Sequence, residues 1–491
     1  MNPAGVAVTH QPLHLLGLQR QGADQVPARQ RKHPRLHGVV HGQQQVHLLD
    51  QLDIRLANLF EVANTQGSSD QAGGGAGNRD TIEGDRYSVL TFEQQLKVDP
   101  QVTNVQIVLP KPHLNENWAQ AGGNMQHIFH HLEISDNPKK IWSSDIGEGS
   151  GGRKALVAEP VVKGGVLYAI DASAKITALN ADTGRRIWEK RYRKDGETEM
   201  LGYGGGVTVG ESALYFVNGY GQFGALNLTD GSEIWLEDIA VPMRGSPTYA
   251  DGRVFGVTLD NHIFALNAEN GEIIWDEVGI SENAGLAGSA SPAVIGNTVI
   301  VSYSSGEVYA MRVENGRILW TDTLNRQGQL TAMATLRDID GHPVVYDGNV
   351  YLISHSGRMA AVNIRSGIRV WEQNVGSQHT PWVSGEFIYV VTTNSEVICM
   401  TRRDGRIIWI TQLERFADPE IRKQPVHWHG PVVASDRVIV TSSHGYAITL
   451  SPYTGNVTGG MDLPDGAGMG PVVANGALYF LVEDGDIVAL R

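Results

Sequence analysis

From Pro160 onward apolar positions come in short bursts separated by turn residues, and the pattern recurs. In its first instance Pro160-Val161-Val162 precedes a Gly164-Gly165 turn and Val166-Leu167-Tyr168-Ala169-Ile170. A second turn leads to Ile176-Thr177-Ala178-Leu179, and Asp182-Thr183-Gly184 then runs into Ile187-Trp188. Bursts of this length, bounded by Gly, Asp and Asn, predict four short antiparallel strands per repeat. The turn between the first two strands carries Asp251-Gly252, Asp347-Gly348 and Asn475-Gly476 in later repeats, residue types that accept positive φ. The fourth strand is marked by Gly-x-x-x-Trp at Gly184/Trp188, Gly231/Trp235, Gly271/Trp275, Gly316/Trp320, Gly367/Trp371 and Gly405/Trp409. Successive tryptophans lie 47, 40, 45, 51 and 38 residues apart, which fits one propeller blade per repeat better than an α-solenoid.

Inner strands are expected to start at Pro160, Val207, Pro247, Pro292, Pro343, Pro381, Pro431 and Pro471, which makes eight blades. Proline is tolerated there because the first residue of a strand need not donate to the ladder. The last repeat, through Asp486-Ile487-Val488-Ala489-Leu490-Arg491, lacks a tryptophan-bearing strand, and Lys140-Ile141-Trp142 has the pattern to supply one. The predicted fold class is therefore all-β: an eight-bladed β-propeller of four-stranded antiparallel blades over residues 136–491, its last blade closed by an N-terminal strand. The seventh blade is expected to be irregular, because Gly459 stands where a tryptophan belongs. Trp142, Trp188, Trp235, Trp275, Trp320, Trp371 and Trp409 are expected to pack between blades, each indole N–H meeting a backbone carbonyl.

The first 83 residues read differently, being rich in Gln and His with Phe60 as their one aromatic and no sustained period. They predict a disordered or non-native extension, with Ser68 to Gly77 as a linker, followed by a lead-in segment over residues 84–135. No basic start, apolar stretch and cleavage site follow one another there as a secretory signal requires. No run of about 18 apolar residues occurs, so no membrane-spanning helix is predicted. A net charge of −14 without a basic stripe argues against binding nucleic acid or anionic lipid. The single cysteine, Cys399, excludes an internal disulfide and a cysteine-based metal site.

The run Ala-Leu-Asn-Ala-x-Thr/Asn-Gly-x-x-x-Trp, in Ala178 to Trp188 and Ala265 to Trp275, resembles the quinoprotein-type propeller repeat. Two branches use it, pyrroloquinoline-quinone dehydrogenases and BamB-type lipoproteins. Three stretches resemble the second branch: Gly84-Asp85-Arg86-x-Ser88-Val89-Leu90, Asn117-Trp118-x-Gln120-x-Gly122-Gly123-Asn124 and Trp142-Ser143-x-Asp145-Ile146-Gly147-Glu148-Gly149. The resemblance spans roughly residues 84–491. It implies a non-catalytic scaffold of the outer-membrane β-barrel assembly machinery that docks the periplasmic domains of the barrel-inserting subunit and aids insertion of unfolded outer-membrane proteins. It implies a place at the periplasmic face of the outer membrane. Family members carry a signal peptide ending in a lipid-accepting cysteine, and this sequence has no cysteine before Cys399. The expectation is that residues 1–83 reflect a start codon set too far upstream or in a wrong frame.

The alternative, a quinone-dependent dehydrogenase, needs a Ca²⁺ cage of oxygen ligands, a catalytic carboxylate and a planar stacking residue. Adjacent cysteines are absent, and no insertion between blades is long enough for a lid, so neither an enzyme nor a cofactor is expected. His127, His130 and His131 could present their rings on one side of a helical turn, with His427 and His429 a second pair, yet no carboxylate or thiol spacing completes a metal site, and ordinary polar loop contacts are the expected role. Ser442-Ser443-His444 has no acid placed to orient its histidine. The residues singled out for partner binding are Val241, Met243, Arg244, Asp338 and Asp340, on the loops Val241-Pro242-Met243-Arg244-Gly245 and Arg337-Asp338-Ile339-Asp340 that enter the third and fifth blades. Apolar side chains beside an arginine make an interface anchor; alternatively Arg244 only pairs with Asp338 or Asp340. The resemblance favours docking, with a generic periplasmic interaction module as a third reading.

Overall fold

The structure, a computed structural model, describes residues 96–152, 154–192, 204–243, 245–280, 290–325 and 338–491. The expected extension over residues 1–83, the first part of the lead-in segment, Arg244 and Arg337 lie outside the described residues.

Among the described residues, strands pair into eight four-stranded antiparallel sheets, one per blade, and one two-stranded hairpin, Phe416–Asp418 with Lys423–Pro425. The first blade orders Val161–Lys163, Val166–Ile170, Lys175–Asn180 and Arg186–Arg191 from inside to outside. The outermost strands of blades two to seven are Glu233–Asp238, Ile273–Val278, Ile318–Thr323, Arg369–Gln373, Ile407–Gln412 and Val457–Asp462. In the eighth blade Lys140–Asp145 pairs antiparallel with Asp486–Leu490, placing Trp142 opposite Ala489, as the sequence predicts. Ring closure leaves the first and last blades without an open seam edge.

A bulge falls opposite each tryptophan-bearing strand, for example between Ala178 and Leu179 and between Ala265 and Leu266. The extra residue lets the strand leave the Gly turn with its indole aimed at the neighbouring blade. The residue facing the tryptophan is small: Ala178, Ala225, Ala265, Ala310, Ala361 and Ala489 in six blades. Cys399 holds this place opposite Trp409 and is fully buried, so it serves as a slightly larger alanine.

The two ends of the Gly-x-x-x-Trp motif serve different seams. Each tryptophan crosses to the next blade, where Nε1–H donates to a backbone carbonyl: Trp142 to Ala181, Trp188 to Leu228, Trp235 to Ala268, Trp275 to Val313, Trp320 to Ile364, Trp371 to Arg402 and Trp409 to Pro452, all at 2.7–3.1 Å. Its ring then covers the motif glycine of that next blade. A Cβ on Gly184, Gly231, Gly271, Gly316, Gly367, Gly405 or Gly455 would stand only 2.6–2.7 Å from the ring of the preceding blade's tryptophan, and each glycine has φ between +69° and +77°. Glycine is required twice over, for the left-handed backbone and for the close approach.

The seam between blades seven and eight has no such lock, since Gly459 faces Thr449. The lead-in segment ties it instead. Leu132, fully buried, donates its N–H to Val433 and accepts from Ser435 in blade seven. Asn115 accepts from the Asn475 N–H and donates its side-chain amide to Val473 in blade eight. His113 pairs with Leu132 between them. The same segment continues around the ring on the turns between first and second strands. Trp118 exchanges both backbone bonds with Val162, the Ala119 carbonyl takes the Val209 N–H, and the Gln120 side chain bonds both polar groups of Tyr249. Met125 and Gln126 accept from Val294 and Val345, and the His130 carbonyl accepts from Trp382 Nε1. Residues 113–132 thus hold an inner hairpin of every blade and cover one mouth of the axial channel.

Candidate functional site

The described parts of the loops that enter the third and fifth blades lie on the opposite rim, against turns between second and third strands. Met243 N–H donates to the Asn218 carbonyl of blade two, the Pro242 carbonyl accepts from Leu259 of blade three, and the Asp338 carbonyl accepts from His355. These bonds explain where the candidate residues stand. Met243 is drawn fully into the core between blades two and three, beside Phe223, Trp235 and Val254, so its expected place in an exposed anchor is corrected. Val241 remains half-buried at the rim. Asp338 is buried, whereas Asp340 faces the axial cavity. Arg244, and with it the pairing to Asp338 or Asp340, lies outside the described residues.

The cavity measures about 430 Å³ and is floored by Trp118, Gly122 and His127 of the lead-in segment. Its walls carry Asp340 and His342 from one rim loop, His379 from a second and His429 from the inner strand Trp428–Ala434. Burial, reinforced by the nearby Asp338 charge, pushes the Asp340 carboxyl well above the usual carboxylate range. Glu159 is also raised by burial, in part offset by hydrogen bonds from Gly122 N–H and the Trp118 indole. Burial lowers His127 and His379 to about 4 and holds His342 and His429 well below the ordinary imidazole range, so all four are neutral near pH 7. The Pro343 carbonyl, 2.7 Å from His127 Nδ1, fixes the proton on that nitrogen. Conversely, His342 Nδ1 accepts from Ser291 N–H at 2.9 Å and therefore carries its proton on Nε2. The channel is thus a polar well in which burial disfavours the charged form of every titratable group named.

The reading of His127, His130 and His131 as one helical face does not hold. Positive φ at His127 and His130 turns the chain so that the rings part. His127 enters the channel, His130 packs edge-on against Tyr346, and His131 bonds the Pro110 carbonyl and the Asp436 N–H. Among the described residues no group of three or more His, Cys, Asp or Glu side chains is placed to hold a metal ion. The lead-in segment's role as a lid across one mouth was missed in sequence, because its backbone bonds run across the inner hairpins and leave no periodicity.

Eight blades joined by seven indole locks, closed by an N-terminal strand and stoppered by a lead-in segment, define a quinoprotein-type β-propeller. The sequence profile of the family described as outer membrane protein assembly factor BamB matches residues 133–207 and 197–411. The chain belongs to the BamB family. The outer membrane protein assembly factor BamB of Salmonella typhimurium is 30% identical over 366 residues, which is 73% of this chain and 90% of that protein. The protein of the same name from Escherichia coli is 29% identical over 364 residues, with the same shares covered. The crystal structure of BamB from Moraxella catarrhalis superimposes with a TM-score of 0.59 at 18% identity, over 72% of this chain and 98% of that one. A europium-containing methanol dehydrogenase reaches 0.62 at 12% identity, over 77% and 98%. At such identity the likeness shows the fold alone.

Proposed function

We propose that this chain is a non-catalytic scaffold of the outer-membrane β-barrel assembly machinery, working at the periplasmic face of the outer membrane. Its rim loops dock the periplasmic domains of the barrel-inserting subunit and so help present unfolded outer-membrane proteins for insertion. Membership of the BamB family carries this reading, and the stiffness of the ring supports it. Seven indole locks and the lead-in segment fix the blades against one another, which lowers the ordering cost of binding. The loop Val241 to Gly245 is the anchor, rooted by Met243 in the core and presenting Val241, with Arg244 next in sequence as its charge and Asp340 facing the cavity from the loop that enters the fifth blade. Asp338 supports that second loop from within.

Copurification from the native host tests this directly. Arg244→Glu should abolish recovery of the barrel-inserting subunit while the unfolding midpoint stays within about 2 °C. Met243→Ala should do the reverse in kind, lowering stability by roughly 2–5 kcal/mol as a cavity forms. Retained binding in Arg244→Glu would refute the docking role.

A further inference from the structure

Seven outer strands carry an aliphatic residue immediately before the lock tryptophan: Ile141, Ile187, Ile234, Ile274, Leu319, Val370 and Ile408. The first six are 41–51% exposed, but Ile408 in the sixth blade is only 9% exposed. The difference comes from the chain itself. Val102 and Ile107 of the lead-in segment, both buried, join the same apolar cluster as Ile408 and Trp409. Asp99 N–H donates to the Ile407 carbonyl at 2.9 Å, and the Arg406 guanidinium bonds the Gln101 side chain. One outer edge is therefore covered by an extended stretch through two aliphatic side chains and a backbone hydrogen bond. The sixth outer strand, Ile407-Ile408-Trp409-Ile410-Thr411-Gln412, also lacks the carboxylates that follow the tryptophan elsewhere, such as Asp276, Glu277 and Asp322.

We infer that the outer strands of the third and fourth blades, Ile273–Val278 and Ile318–Thr323, are docking edges for an extended segment of another polypeptide carrying two aliphatic residues spaced like Val102 and Ile107 together with a basic residue. These two outer strands repeat the adjacent aliphatic pair that the covered sixth strand carries before its tryptophan, Ile407-Ile408, as Ile273-Ile274 and Ile318-Leu319. Ile273 and Ile318 are open beside Ile274 and Leu319, and Val278 and Ile280 extend the third edge. Asp276 and Glu277 supply the charge that a lysine or arginine of the incoming segment meets. Burial of aliphatic side chains gives the affinity, and strand-edge hydrogen bonds set the direction. The inference concerns the circumference of the ring and stands apart from the rim docking proposed above.

The probe is a fluorescent peptide with the sequence of residues 96–109, which contains Val102, Ile107 and Lys97. Added to the full chain, it should bind and slow amide exchange in Ile273–Val278 and Ile318–Thr323. Ile274→Asp combined with Leu319→Asp should weaken binding at least about tenfold. Should that pair shift the unfolding midpoint, Ile274→Thr with Leu319→Thr takes its place. Arg244→Glu should leave peptide affinity unchanged, which separates this edge from the rim. The inference is overturned if protection falls elsewhere, if the folded variants bind as well as the parent, if Arg244→Glu abolishes peptide binding, or if the same strands become protected by self-association without peptide.

Discussion

Replacing Gly271 with valine should destabilise the ring by roughly 3–5 kcal/mol, the sum of an overpacked contact and a β-branched residue forced to positive φ. Gly271 has φ +77°, and the Trp235 ring leaves a new Cβ only 2.7 Å away. Trp235→Ala should cost roughly as much, through lost burial and an orphaned Ala268 carbonyl. The two changes touch one contact, so they should not add. In the double variant the clash disappears and only the backbone strain remains, leaving a coupling of at least about 1 kcal/mol in equilibrium denaturation. Additive costs would mean that the glycine and the indole of successive blades do not act as a lock.

The second large effect belongs to the seam without an indole. Leu132→Asp would place a carboxylate at a fully buried position between blades seven and eight, and should cost roughly 4 kcal/mol or more. Val108→Asp, on the same segment but 66% exposed, should stay within about 0.5 kcal/mol. Hydrogen exchange gives the finer reading: amides of Lys140–Asp145 and Val472–Ala474 should lose protection before those of the third blade. Equal effects from the two substitutions would show that the lead-in segment lies on the ring without holding it.

Most of the architecture was legible because a repeat writes its strands and turns locally. The place of Lys140-Ile141-Trp142 followed from a strand missing in the last repeat, and Gly459 announced the irregular seventh blade. Partners across a seam were not legible. Gly271 belongs with Trp235, 36 residues earlier, and nothing inside one repeat ties them together. Met243 reads as an exposed anchor because it lies in a loop, but the turns of two neighbouring blades close over that loop and bury it. The histidines near residue 130 read as a helical face because positive φ at non-glycine residues leaves no mark in composition. The buried polar groups of the channel were likewise invisible, since they converge from the lead-in segment and separate blades only once the ring closes.

The docking face is tested most directly by calorimetric titration of the purified periplasmic domains of a barrel-inserting subunit into this chain and two charge variants. Arg244→Glu alters the loop that enters the third blade, and Val108→Glu alters the lead-in segment beside its contact with the outer strand of the sixth blade. Loss of binding in Arg244→Glu, with affinity kept in Val108→Glu, is the predicted result. Binding that survives Arg244→Glu and fails in Val108→Glu would place the partner on the lead-in segment, away from the loop that enters the third blade, and contradict the docking face described here.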